Sequence, residues 1–164
     1  MSVCNRLFSS EHIYISNQQD QIKVFEEVAQ KLVEANLVTD DFLNNLVERE
    51  SNYPTGLSLK PVGAQLPDIA IPHTESEFVK VTKIVPIKLV HPVKFKNMLN
   101  PSEELDVSFL FMILNKNGQA QTAILAKIMD FINAQDPTKL QEFFGYTDQA
   151  MVFEFLKTNF KEEF

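Results

Sequence analysis

Asp106-Val107-Ser108-Phe109-Leu110-Phe111-Met112-Ile113-Leu114 is the stretch that decides the architecture. Successive side chains of a strand point to opposite faces. Here neighbours of both parities are apolar from Phe109 onward. A strand apolar on both faces must be covered on both, so this one is expected to be central, with helices on either side. Asn117-Gly118 marks the turn out of it. Beyond the turn, Ile124, Leu125, Ile128, Met129 and Ile132 recur at helical spacing, which predicts a helix over 119–132. Two shorter helices fit Pro137 to Phe144 and Asp148 to Phe160.

Working back from the central stretch, Val81 to Val90 is rich in β-branched residues and reads as a strand. Pro86 within it points to an edge position or a bulge. Val93 to Phe95 is a further short extended piece. Asp68 to Ile71 is a short strand ending at Pro72-His73, because proline pushes the residue before it out of the helical region. Pro54-Thr55-Gly56 is a turn. Two helices are expected earlier. The first begins at a Ser16 N-cap completed by Gln19, buries Ile22, Phe25, Val28, Ala29, Leu32 and Val33, and stops near Asn36. The second spans Asp40 to Glu50, with Phe42, Leu43, Leu46 and Val47 inward and Arg49 in its last turn. His12 to Ile15 is a short extended entry. The sum is an α/β (α+β) fold: a mixed sheet of four to five strands sandwiched by helices. No repeat or linker interrupts the 164 residues, so a single domain over 1–164 is expected.

Composition narrows the function. With 45% apolar and 10% aromatic residues the chain can bury a core. A net charge of −7 argues against nucleic acid, whose phosphates repel an acidic surface. The lone Cys4 cannot form an internal disulfide and carries no sign of activation. Residues Met1 to Glu11 lack the apolar block of a signal peptide, and no run approaches the ~20 apolar residues of a membrane span. A cytoplasmic protein without membrane insertion is the expectation.

Three histidines are present, His12, His73 and His91. His73 stands apart. It ends the apolar Ile69-Ala70-Ile71, follows the stiff Pro72 and precedes the polar Thr74 and Glu75. That describes an anchored imidazole at the rim of a sheet, beside hydrogen-bonding groups. A neutral imidazole can attack phosphorus near pH 7. His91, before Pro92, and His12 read as structural. There is no glycine-rich phosphate loop, zinc-ligand cluster or G-x-S-x-G elbow, so nucleotide-dependent and hydrolase chemistry lack support.

Ile69-Ala70-Ile71-Pro72-His73 resembles the G-I/V-A-I/V/L-P-H active-site segment of the mannitol–fructose class of enzyme IIA domains of the sugar phosphotransferase system (PTS). Arg49-Glu50 resembles that class's Arg-Glu pair at a helix end. The run from Arg49 to Gly56 is similar to the galactitol-type R-E-x-x-F/Y-P-T-G. Gln121 stands where the mannitol type has a second histidine, and the galactitol-like branch also carries Gln there. Asp68 replaces a usual Gly, and the loop from Leu57 to Pro67 is longer than in that class.

The resemblance implies the mannitol/fructose-type IIA fold and a phosphocarrier. The small protein HPr would donate a phosphoryl group to His73, and a IIB component would accept it on a cysteine. The IIC membrane component would carry the sugar or polyol. No metal or nucleotide cofactor is implied. Arg49, Gln121 and Thr74 would meet phosphoryl oxygens, and Glu75 would orient the ring or face water. Phe78 and Val79 are candidates for an exposed docking patch. The alternatives are a regulatory module of the same type, reporting phosphorylation state to a transcription factor or kinase, and an interaction domain with a dead site.

Overall fold

The apolar strand lies at the centre of a five-stranded mixed sheet in the computed structural model, which describes residues 7–161. In chain order the elements are β1 (Tyr14–Ser16), α1 (Gln21–Glu34), α2 (Phe42–Asn52), β2 (Gly56–Leu57), β3 (Asp68–Ala70), β4 (Lys83–Lys96), β5 (Glu104–Leu114), α3 (Gln121–Ala134), α4 (Pro137–Phe144) and α5 (Gln149–Asn159). The sheet order is β1-β4-β5-β3-β2. β4 runs antiparallel to β5, while β3 runs parallel to it. Cys4 lies outside the described residues.

β5 splits its side chains between two cores. Phe109, Phe111 and Ile113 face α3, α4 and α5, where Ile124, Ile128, Phe131, Leu140, Phe143 and Leu156 are buried. Val107, Leu110, Met112 and Leu114 face α1 and α2, against Phe25, Val28, Leu32, Phe42 and Leu46. The first core is largely aromatic: Phe109 meets Phe111, Phe143 and Phe144 at ring-centroid separations of 4.9, 5.3 and 5.4 Å. Helices therefore cover both faces, as the unbroken apolar run requires.

Several boundaries differ from the sequence reading. Ser16 does not cap α1. It pairs with Leu89 as the last residue of β1, is buried, and donates its hydroxyl to Glu27 Oε1 at 2.6 Å. Asp20 is the N-cap, accepting from the Lys23 N–H, and on the helix that follows Val24 is buried while Ile22 is exposed. Asn36 does close α1, at φ 62°: its N–H reaches Val33 O and the Leu37 N–H reaches Leu32 O. This is the paired bonding of a left-handed C-terminal cap. α2 starts two residues later than expected and runs on to Asn52; before Pro54, Tyr53 leaves the helical region at φ −136° and ψ 80°.

Val81–Val90 and Val93–Phe95 form one strand, β4, with a register shift between Lys88 and Val93. β4 is an inner strand, so Pro86 is not on an edge strand. It is tolerated because β1 pairs only from Ile87 to Leu89, which leaves Pro86 one residue outside that ladder. β2 is only two residues long, too short to carry an alternating pattern in the sequence. The long loop after it is tied down by Asp68, whose buried carboxylate accepts the Leu59 N–H at 3.1 Å and lies 3.7 Å from Lys60 Nζ.

Candidate functional site

β3 and β5 run parallel, and both end at the same rim of the sheet. Past Ala70 the chain stays extended through Ile71-Pro72. Pro72 O accepts the Ile113 N–H at 3.0 Å, and His73 bridges to Ile113. Proline lacks a donor but keeps its acceptor, so the ladder continues to the residue that bears the imidazole. His73 is half-buried. Its Nδ1 lies 3.0 Å from Ile71 O. A carbonyl only accepts, so Nδ1 carries the hydrogen, and Nε2 of the neutral ring is left with its lone pair.

α2 supplies the cation. Arg49, in its last turn, lays its guanidinium over the Tyr53 ring at 5.2 Å and donates from Nη1 to Glu75 Oε1 at 2.6 Å. Asn45, one turn earlier on the same helix, accepts the Glu75 N–H through Oδ1 at 3.0 Å. The Thr39 N–H reaches Phe78 O at 2.9 Å. The segment after His73 is thus fastened to α2 and the loop before it. Burial is the main cause that lowers the His73 pKa below its ordinary 6.5. The hydrogen bond to Ile71 opposes this, the Arg49 charge adds to it, and Glu75 opposes it. The net direction favours the neutral ring.

Gln121 is the first residue of α3. Asn115, two residues past the Ile113 bridge, donates Nδ2 to Gln121 Oε1 at 3.4 Å. That engages the Gln121 carbonyl and leaves its NH₂ to donate. The preceding turn rests against the His73 loop, since a Cβ on Gly118 would stand 3.5 Å from Ser76 Oγ.

The other sequence candidates fall as follows. Thr74 donates its hydroxyl to Glu75 O at 2.9 Å, which commits its hydrogen locally. Glu75 pairs with Arg49, while the Nδ1 side of the ring is held by Ile71. Val79 is buried and Phe78 half-buried, both packed into the α1–α2 core, so they form no exposed patch. Tyr53, 65% exposed beside Arg49, is the prominent apolar side chain at this rim. His91 is exposed on β4, and His12 Nδ1 lies 3.3 Å from the Tyr14 hydroxyl. Asn45 and Asn115 were not anticipated. Asn45 was detectable only as the residue four before Arg49, and Asn115 only as a polar residue ending an apolar strand. Among the described residues no group of three or more His, Cys, Asp or Glu could hold a metal ion, and no helix is long and apolar enough to cross a membrane.

Solved structures share this fold. The mannitol IIA protein of Escherichia coli superposes with a TM-score of 0.70 at 19% identity, covering 91% of this chain and 98% of its own. The same protein in complex with phosphorylated mannitol IIB gives 0.68 at 17% identity, over 92% and 97%. Among curated proteins, the galactitol-specific EIIA component of Escherichia coli K12 is 24% identical over 134 residues, 76% of this chain and 85% of that protein. The fold is thus that of the mannitol-type IIA proteins. Residues 6–159 match the family described as "Phosphoenolpyruvate-dependent sugar phosphotransferase system, EIIA 2", and the chain belongs to that family.

Proposed function

We propose that this IIA component takes a phosphoryl group from HPr onto Nε2 of His73 and passes it to a IIB component, serving uptake of galactitol or a related polyol or sugar from the cytoplasmic side. The observation that carries the reading is the Nδ1 contact to Ile71 O at 3.0 Å, which directs the free lone pair of a neutral imidazole to Nε2. As the Nε2–P bond forms, the bond from phosphorus to the donor breaks, and Nδ1 keeps its hydrogen. The transferred group brings nearly two negative charges. Arg49 supplies guanidinium donors and Gln121 an amide donor for its oxygens. Departure to IIB reverses the step: the N–P bond breaks as the acceptor's bond to phosphorus forms. The galactitol assignment rests on the galactitol-specific relative and on Gln121. The IIB assignment rests on the mannitol complex of the same fold.

Incubation with enzyme I, HPr and labelled phosphoenolpyruvate tests this. The expected product is an acid-labile, base-stable adduct that is absent from His73→Ala. An adduct that persists in His73→Ala and maps to His91 overturns the assignment. Addition of a galactitol IIB component should discharge the label, and a stable adduct in its presence favours the regulatory alternative.

A further inference from the structure

Arg49 and its neighbour Glu50 take different partners. Arg49 reaches out to Glu75, whereas Glu50 is buried, with 5% of its surface exposed. The Glu50 carboxylate takes both donors of one residue. Oε2 accepts the Thr55 N–H at 2.7 Å, and Oε1 accepts the Thr55 hydroxyl at 2.8 Å. The Thr55 carbonyl in turn accepts the Ile71 N–H at 3.2 Å, and the Ile71 carbonyl accepts Nδ1–H of His73 at 3.0 Å. An unbroken chain of hydrogen bonds therefore runs from α2 through the Pro54-Thr55-Gly56 turn to the imidazole.

The far side of that turn is equally fixed. Gly56 pairs with Ala70, and its carbonyl accepts the Met98 N–H at 2.7 Å. A Cβ at Gly56 would stand 2.5 Å from Lys96 O, so the backbone sits where only glycine fits. Thr55 is held between this contact and the Glu50 carboxylate.

We propose that Glu50 is a positioning residue for phosphoryl transfer, gripping Thr55 so that the Ile71 carbonyl holds His73 with its hydrogen on Nδ1 and its lone pair on Nε2. The inference rests on the proposed role of His73. Its chemistry is specific. A buried carboxylate is costly unless its oxygens are paired, and here each oxygen meets a donor of the same threonine. An apolar residue of similar size would fill the space without holding the turn. The effect on transfer follows from how steeply reactivity depends on the orientation of the attacking lone pair.

The test uses the full chain. The tautomer of His73 is read from the imidazole nitrogen resonances, and phosphoryl uptake from HPr is timed in parallel. Glu50→Gln keeps both contacts, because its carbonyl accepts the Thr55 N–H while its NH₂ donates to Thr55 Oγ1. It should preserve the Nδ1–H tautomer and the uptake rate within about twofold. Glu50→Ala should mix the tautomers and slow uptake roughly tenfold or more. Thr55→Val removes only the hydroxyl link and should fall between the two, and it carries the test if Glu50→Ala does not fold. A folded Glu50→Ala or Thr55→Val protein with the native tautomer and native uptake overturns the proposal, as does equal loss in Glu50→Gln and Glu50→Ala. If the unmodified protein takes no phosphoryl group from HPr, the carrier reading fails, and the tautomer measurement still decides the role of Glu50.

Discussion

The guanidinium of Arg49 and the carboxylate of Glu75 meet at 2.6 Å, joining the last turn of α2 to the loop that follows His73. The side chains are 27% and 55% exposed, so the pair contributes only about 0–1 kcal/mol to stability. Its position matters more. The pair holds a cation beside the ring in the resting state, and a phosphoryl group on Nε2 would compete with Glu75 for the same guanidinium. Arg49→Ala should leave the melting temperature nearly unchanged while slowing phosphoryl uptake roughly a hundredfold, the usual scale for losing a donor to developing negative charge. Arg49→Lys, which keeps the charge but loses the fork, should recover only part of the rate. Rapid-quench phosphorylation together with thermal melts checks both. Unchanged uptake in Arg49→Ala would remove it from the site.

The titration of His73 gives a second outcome, readable by NMR without any partner. Burial first, and Arg49 after it, place the midpoint below the ordinary 6.5. Arg49→Ala should therefore raise the midpoint, and Glu75→Gln should lower it further. The linked stability has a definite sign. Because the fold favours the neutral ring, this contribution is complete above pH 6.5 and is lost as pH falls through the lower midpoint of the folded state. A wild-type midpoint above 6.5 would contradict the site's electrostatics.

Gln121 is held at its carbonyl by Asn115, so its remaining polar atoms are donors. Gln121→Ala should slow transfer about tenfold with the fold intact. Gln121→Glu should be slower still, since a carboxylate there would repel the incoming phosphoryl charge. Rates of labelling from HPr distinguish the two variants, and equal rates for wild type and both variants would place Gln121 outside the reaction.

Much of this was legible in the sequence because it rests on strong local signals. The doubly apolar run at Phe109–Leu114 specified a covered central strand, and Ile71-Pro72 specified an extended approach to His73. The family also followed from short motifs, Ile69 to His73 and Arg49 to Gly56. What escaped was decided by contacts distant in sequence. Ser16 has the right residue type for a cap, but pairing with Leu89 and a bond to Glu27 claim it for β1. Lys88 to Val93 contains Pro92 and a register shift and still belongs to one strand, because β5 offers a continuous partner on either side of the shift. Val79 looks like an exposed apolar residue in a polar loop, yet it bridges to Val38 and is buried. Nothing in the motif distinguished Glu50 from a solvent-facing neighbour of Arg49; only the return of Thr55 beneath α2 gives it a role.

Glu50 also leaves a mark on stability. Burial is the main cause that raises its pKa from 4.5 to about 7, against the two bonds from Thr55. The charged groups on the cleft beside it are Asp20 before α1, Lys94 and Lys96 on β4 and Glu104 on β5, with Lys94 already paired to Asp106 at 2.7 Å. Between pH 4.5 and 7 the folded protein holds a proton that the unfolded chain has released, so stability falls as pH rises through that window. At ~1.4 kcal/mol for each pH unit separating the two pKa values, the full penalty at pH 8 is on the order of 3 kcal/mol. Glu50→Gln cannot ionise and should remove this slope. In urea unfolding at pH 8 it should be more stable than the wild type by about 1–3 kcal/mol, with the difference closing toward pH 5. Parallel stability profiles for the two proteins from pH 5 to 8 would show that Glu50 is ionised throughout, and that Thr55 stabilises its charge more strongly than burial opposes it.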